Sequence, residues 1–231
     1  SGIATMARTF VMGTLHHYDW AQIGGAIKHP EKGKVMDLNE SVRKDTGVKD
    51  AYLKIYPVDG YGNQELLRQV INLENPDAIL HYTDPRFWEW LYQMEHEIRT
   101  QMPLFYYNIW DDLPYPMWNE PFYESCDLIM NISKQTVNIV DNVCRNKPRT
   151  KTDNTYIPHG INEKNFYPIN KDNKEWGSLL QFRRNIVAER DYDFIVFWNN
   201  RNIRRKLPGD VIMAFKTFCD MLPKDKAKKC A

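Results

Sequence analysis

Short apolar runs bounded by turn residues alternate with stretches in which apolar positions recur every three or four residues. The first pattern reads as strand and the second as amphipathic helix. A helix is predicted over residues 1–15, with Ile3, Met6, Phe10 and Leu15 along one stripe. Strands are predicted at 19–27, 51–58, 77–83, 104–109, 127–132 and 154–157. Helices are predicted between them at 65–73, 86–101, 120–125 and 134–145. Residues 29–50 form a polar excursion with a short helix at 37–44. Such alternation predicts a Rossmann-like, doubly wound, mostly parallel α/β sheet. A polar linker from residue 169 leads into a further helix over 175–189.

The pattern then starts afresh. Phe194 to Trp198 is wholly apolar and reads as a strand buried on both faces, as in parallel sheets. A polar loop follows, and Leu207-Pro208 opens a helix whose stripe is Val211, Ile212, Phe215, Phe218 and Leu222. Proline is tolerated there because first-turn N–H groups have no helical partner. A loop between a strand end and a helix start is where α/β folds bind anions. Arg201 and Lys206 lie in it, and a guanidinium fork with a flexible ammonium suits a diphosphate. The same charges also read as a solvated basic loop.

Two segments together resemble a known family. Asn200-Arg201…Lys206 before a helix with Ala214-Phe215 resembles the opening of the C-terminal domain of family 4-like glycosyltransferases of the GT-B fold. Tyr156-Ile157-Pro158-His159-Gly160-Ile161-Asn162, then Phe166-Tyr167-Pro168, is similar to the stretch that closes their N-terminal domain. The resemblance implies an N-terminal domain over residues 1–170, a linker helix over 171–190 and the start of a donor-binding domain over 191–231. It implies transfer of a sugar from a nucleotide-sugar to a carbohydrate or other acceptor, with retention and without a metal or other cofactor. Arg201 and Lys206 would hold the donor diphosphate. Ser1-Gly2 would be the turn after a first strand that this chain lacks, so the sheet would show two unpaired edges. Only PKDKAKKCA follows Leu222, without the family's later pair of glutamates that contact sugar and ribose. A truncated product, incomplete as an enzyme, is therefore expected.

Composition narrows the alternatives. The 231 residues carry a net charge of +1, which gives no reason to expect nucleic-acid binding. No 18-residue apolar run or basic-then-apolar leader is present, so neither a transmembrane segment nor a signal peptide is expected. Cys126, Cys144, Cys219 and Cys230 are scattered without CxxC spacing and read as reduced thiols of a cytoplasmic protein. Seven tryptophans fit a sugar site, a docking surface or a plain core equally well.

Ligands of open α/β sheets bind outside the carboxyl ends of the strands. Reading those ends gives His81 to Asp84, Trp110-Asp111-Asp112, Ser133 and His159-Gly160. Asp84 reads as a helix cap or an acceptor contact, and Asp111 and Asp112 as acceptor contacts or a solvated loop. Ser133 reads as a cap. Gly160 is taken to permit a turn closed to other residues, and His159 reads either as facing the domain cleft or as a hydrogen-bonded surface histidine. Ser1 and Gly2 join the acceptor-side candidates. No catalytic base stands out. Open sheet edges would favour a homo-oligomer. The rival reading is a non-catalytic α/β module that binds a nucleotide or a protein. A dinucleotide enzyme would want GxGxxG, which is absent.

Overall fold

Strand and helix alternate as the apolar pattern predicts. A computed structural model describes residues 2–25, 30–145, 153–188 and 190–231. The chain divides into two units, Ser1–Asn162 and Glu163–Ala231.

In the first unit, α1 (Gly2–Thr14) leads to β1 (Trp20–Gly24), β2 (Met36–Asp37), α2 (Asn39–Thr46) and β3 (Leu53–Pro57). Then come α3 (Gln64–Glu74), β4 (Ile79–Tyr82), a 3-10 turn (Pro85–Trp88), α4 (Glu89–Tyr92) and α5 (Glu95–Arg99). β5 (Leu104–Asn108), a 3-10 turn (Met117–Asn119), α6 (Glu120–Glu124), β6 (Leu128–Asn131), α7 (Lys134–Val143) and β7 (Asn154–Tyr156) complete it. Four strands make an all-parallel sheet in the order β4-β5-β6-β7. The other three form a sheet in the order β1-β3-β2, with β1 parallel to β3 and the two-residue β2 antiparallel. Architecture of this kind is α/β and Rossmann-like. Among the described residues β1 pairs with β3 alone and β4 with β5 alone, so each sheet has an edge on that side.

Alternation along the strands sorts the core. Tyr106 and Ile129 are register partners, both fully buried, on the face that packs against Leu91, Ile98, Tyr123, Ile139 and Val140 of α4 to α7. Tyr107, the next residue of β5, lies on the opposite face, where Phe10 of α1 meets its ring at 6.1 Å. In the smaller sheet Leu53 packs with Val11 of α1, Leu15 just after it and Val42 of α2. Its neighbour Lys54 turns to α3, as do Tyr52 and Tyr56. These three converge on Glu74 at the end of α3: Tyr52 donates at 2.6 Å, Lys54 at 3.3 Å and Tyr56 through a short bond. The Glu74 side chain is 7% exposed. Burial alone would raise its pKa, but the bonds from Tyr52, Tyr56 and Lys54 outweigh that and hold it below the usual value.

Two expectations need correcting. The single helix expected over 86–101 is three pieces, the Pro85–Trp88 turn, α4 and α5. Leu91, Tyr92, Met94, Ile98 and Met102 are all buried. On a straight helix Tyr92 would stand about 100° off the line of the others, and the break after Tyr92 brings all five inside. The second correction lies in the second unit, built from α8 (Trp176–Ile186), a 3-10 turn (Arg204–Lys206), α9 (Pro208–Asp220) and α10 (Lys224–Ala227). Phe194 to Trp198 is not a doubly buried strand. Phe194 makes one parallel bridge to Cys230, supported by bonds from Val196 N–H to the Ala231 carbonyl (2.7 Å) and from Ala231 N–H to the Phe194 carbonyl (3.0 Å). Its five side chains are 36–79% exposed. A strand is buried on both faces only between two further layers, and none of α8, α9 or α10 contains a buried residue. The α9 stripe is in place, yet Ile212 on it is 68% exposed.

Candidate functional site

The carboxyl ends of β4 and β5 bring several predicted residues together. Asp84 follows β4 and caps the turn after it, its Oδ1 accepting from the Arg86 N–H at 3.1 Å. The carboxylate also takes two bonds from the Arg86 side chain, at 3.0 and 2.6 Å. Partial burial works against its charge, but the Arg86 bonds and charge prevail and hold its pKa below the usual carboxylate value. Arg86 in turn lies over the Trp110 ring, 4.9 Å from its centre. Asp84 is therefore both cap and fixed anion, with one partner already in place.

Asp111 and Asp112 sit beyond Trp110 in an exposed loop. The loop is tied by its backbone: Gln135 donates to the Asp111 carbonyl (3.0 Å) and Trp110 Nε1 to the Asp112 carbonyl (3.2 Å). The Asp112 carboxylate accepts from Leu113 N–H at 3.0 Å. Among the described residues no group of three or more His, Cys, Asp or Glu could hold a metal ion. Ser133 caps α7, its Oγ accepting from Thr136 N–H at 3.0 Å.

His159 stacks on Tyr107, with ring centres 5.5 Å apart, and meets Tyr82 edge-on at 6.3 Å. Partial burial lowers its pKa from the ordinary histidine value. The reading of Gly160 as a residue required by its backbone is corrected. It does not take a positive φ, and an added Cβ would meet nothing within 4 Å. Gly2 opens α1, is exposed and likewise has room for a side chain. Ser1 lies outside the described residues.

Sequence reasoning missed two buried polar groupings behind this rim. His81 is 5% exposed, stacks on Tyr106 at 5.2 Å and bonds through Nδ1 to the Tyr92 hydroxyl at 2.6 Å. Nε2 and the Trp88 and Trp90 indole nitrogens are buried without protein partners among the described residues. Burial drives the His81 pKa down to about 3, against a small opposing pull from Asp84. The second grouping is a ladder of buried asparagines. Asn108 donates to Asn131 at 3.1 Å, Asn131 to Asn154 at 2.6 Å and Asn154 to Asp141 at 2.7 Å. Its other end holds the rim, because Asn108 Oδ1 accepts from Trp110 N–H at 3.0 Å. The available signal was an asparagine at the end or start of three consecutive strands.

In the second unit, Arg201 and Lys206 share the loop before α9. Arg201 is exposed and Lys206 half-buried, and neither side chain is hydrogen-bonded or ion-paired among the described residues. The Arg201 N–H bonds to Asn200 Oδ1 at 3.0 Å, and Lys206 closes the 3-10 turn through its N–H to the Ile203 carbonyl at 3.0 Å. Leu207, the next residue, sits at φ 47° and ψ 52° just before Pro208. A left-handed conformation is costly for a leucine. A hollow in the same unit is lined by Leu180, Arg183, Arg184, Val187, Arg190 and Tyr192 and does not include Arg201 or Lys206.

Compared with known proteins, the chain matches no family model, no curated sequence and no solved structure. The class defined by the fold is thus a Rossmann-like α/β protein. Among the described residues no helix is long and apolar enough to cross a membrane.

Proposed function

We propose that the chain belongs to a GT-B glycosyltransferase of the family 4-like kind, comprising its acceptor-side domain and the opening of its donor-binding domain. The observation that carries this reading is the pair Arg201 and Lys206. Both cations stand in one loop at the amino end of α9, and neither has a side-chain partner among the described residues. A diphosphate there would gain two cationic donors and the positive end of the α9 dipole. In the reaction these groups would stabilise the charge that develops on the leaving diphosphate as the sugar departs. The transfer would be metal-independent and retaining. Asp84 and His159 would serve the acceptor side.

The test is calorimetric titration with UDP, GDP and ADP, beside the Arg201→Ala variant. Binding that prefers one nucleotide and is lost in the variant supports the reading and indicates the donor. Nucleotide binding that survives the substitution rejects the diphosphate site, and no binding by a folded sample favours a non-catalytic module.

A further inference from the structure

Exposed and half-buried aromatic rings of the first unit follow the ends of β3, β4 and β5. Tyr61 and Phe87 stack with centres 4.7 Å apart and planes 10° from parallel. Trp110 and Trp118 meet edge-on at 6.2 Å. The Asp84–Arg86 ion pair, closed at 2.6 Å, adjoins both pairs, with Arg86 preceding Phe87 in sequence and resting on Trp110. Phe87 is 49% exposed and Trp118 57%. Large rings left this open, with Leu113, Tyr115 and Met117 of the loop before Trp118 also exposed, mark a binding surface rather than scattered surface hydrophobes.

We infer that this row binds a saccharide, with a pyranose ring stacked on Trp118 or Phe87 and its hydroxyls bonded to Asp84 and Arg86. A pyranose has an apolar C–H face and a hydrogen-bonding edge. A site for it needs flat aromatic surface beside a few fixed polar groups. The carboxylate supplies acceptors and the guanidinium supplies donors. Each is held in place before any ligand arrives, Asp84 by its capping bond and Arg86 by Trp110, so little ordering remains to be done on binding. A protein partner fits less well. Protein interfaces put apolar residues at the centre and charge at the rim, whereas here the ion pair lies against the Trp110 ring itself and would have to be desolvated. The exposed apolar run Phe194 to Trp198 makes the contrast, since no charge interrupts it.

Saccharide binding at this row stands on the geometry of the first unit; calling the saccharide an acceptor rests on the sugar-transfer reading. The test is titration of the chain with maltotriose, cellotriose and chitotriose, followed by tryptophan fluorescence and calorimetry. A proline-rich peptide serves as the competing ligand. At least one trisaccharide is expected to bind, with affinity at least tenfold weaker in Trp118→Ala and in Asp84→Asn, and unchanged in Arg201→Ala. Phe87→Ala is run alongside, because loss of the Asp84–Arg86 ion pair can disturb folding, and circular dichroism checks every variant. Nucleotide binding with no trisaccharide binding overturns this inference and leaves the sugar-transfer reading standing. Trisaccharide binding that depends on Trp118 without any nucleotide binding does the reverse. Binding that neither Trp118→Ala nor Phe87→Ala weakens, or peptide binding in place of sugar, overturns it.

Discussion

The segments Ile79–Tyr92 and Phe194–Asp220 are written in much the same pattern, an apolar run, a polar turn with proline and an apolar-striped helix. In the first, the run is a paired strand and the helix side chains Leu91 and Tyr92 are buried. In the second, the run makes one bridge and its residues stay 36–79% exposed. The difference does not lie in the runs themselves. β4 has β5 beside it and α4 against its face, while among the described residues Phe194 has one short parallel partner, Lys229 to Ala231. An apolar run therefore reports a demand for burial, and neighbouring layers decide whether it is met.

The sharpest test of that contrast removes one apolar side chain from each place. Ile129 is fully buried between β5 and the helices. Ile129→Ala is expected to cost about 2–5 kcal/mol, the range for emptying a packed site. Phe197 is larger but 79% exposed, and Phe197→Ala is expected to change stability by less than about 0.5 kcal/mol. Urea unfolding followed by tryptophan fluorescence reads both. Equal costs would mean that Phe197 is buried in solution and that the contrast between the units is false.

Acid should act on the first unit through His81. Its folded pKa of about 3 lies below the ordinary histidine value of 6.5, so the native state keeps the ring neutral while the unfolded chain takes up a proton. Stability is whole above pH 6.5 and falls as the pH drops towards 3, by an amount on the order of 4 kcal/mol. His81→Phe should flatten the decline between pH 6.5 and 4.5, measured as urea midpoint against pH. An unchanged slope would show that another group carries the acid sensitivity.

Glu74 supplies the next effect, in a lower pH window. Glu74→Leu leaves Tyr52, Tyr56 and Lys54 without their common acceptor and should cost about 2–3 kcal/mol at pH 7. Because the folded carboxylate is held below its ordinary value of 4.5, its contribution is present above that pH and is lost as the pH falls through the depressed value. The variant should therefore lose the part of the acid response below pH 4.5 and keep the part that begins near 6.5. Destabilisation that is the same at every pH would refute the charged role of Glu74.

These residues show how far sequence pattern reaches. Periodicity located the parallel strands of the first unit, because the runs stand between turn residues and those of β3 to β6 are followed by helical segments. It could not locate the Glu74 cluster, whose partners lie 18 to 22 residues away and meet only because Tyr52, Lys54 and Tyr56 share one face near the end of α3. The asparagine ladder was hidden for the same reason, since its rungs are set by strand order and register. Asp84 was visible as a cap from its place before Pro85, but its pairing with Arg86 and the Trp110 ring beneath required the β4–β5 neighbourhood. Helix continuity over 86–101 failed where Tyr92 had to turn inward. Arg201 and Lys206 were found together because one short loop holds both.

The smallest expected effect bears on whether the strain in the second unit is incidental or serves a purpose. Leu207 holds a left-handed backbone at φ 47° while preceding a proline, which itself disfavours helical angles at that residue. Its carbonyl accepts from Asp210 N–H at 3.0 Å and Val211 N–H at 3.4 Å, so the strained residue also fastens the first turn of α9. Leu207→Gly removes the steric cost and should stabilise that turn by about 1 kcal/mol, seen as slower hydrogen exchange at the Asp210 and Val211 amides. A fall in exchange protection would mean that glycine's freedom in the unfolded chain outweighs the relieved clash. The nucleotide titration separates the two meanings of the strain. Affinity unchanged beside a steadier turn makes Leu207 a leftover of an uncovered unit. Weaker binding despite the steadier turn would make it a residue that aims Lys206, which sits directly before it, and would place backbone strain in the service of the diphosphate site.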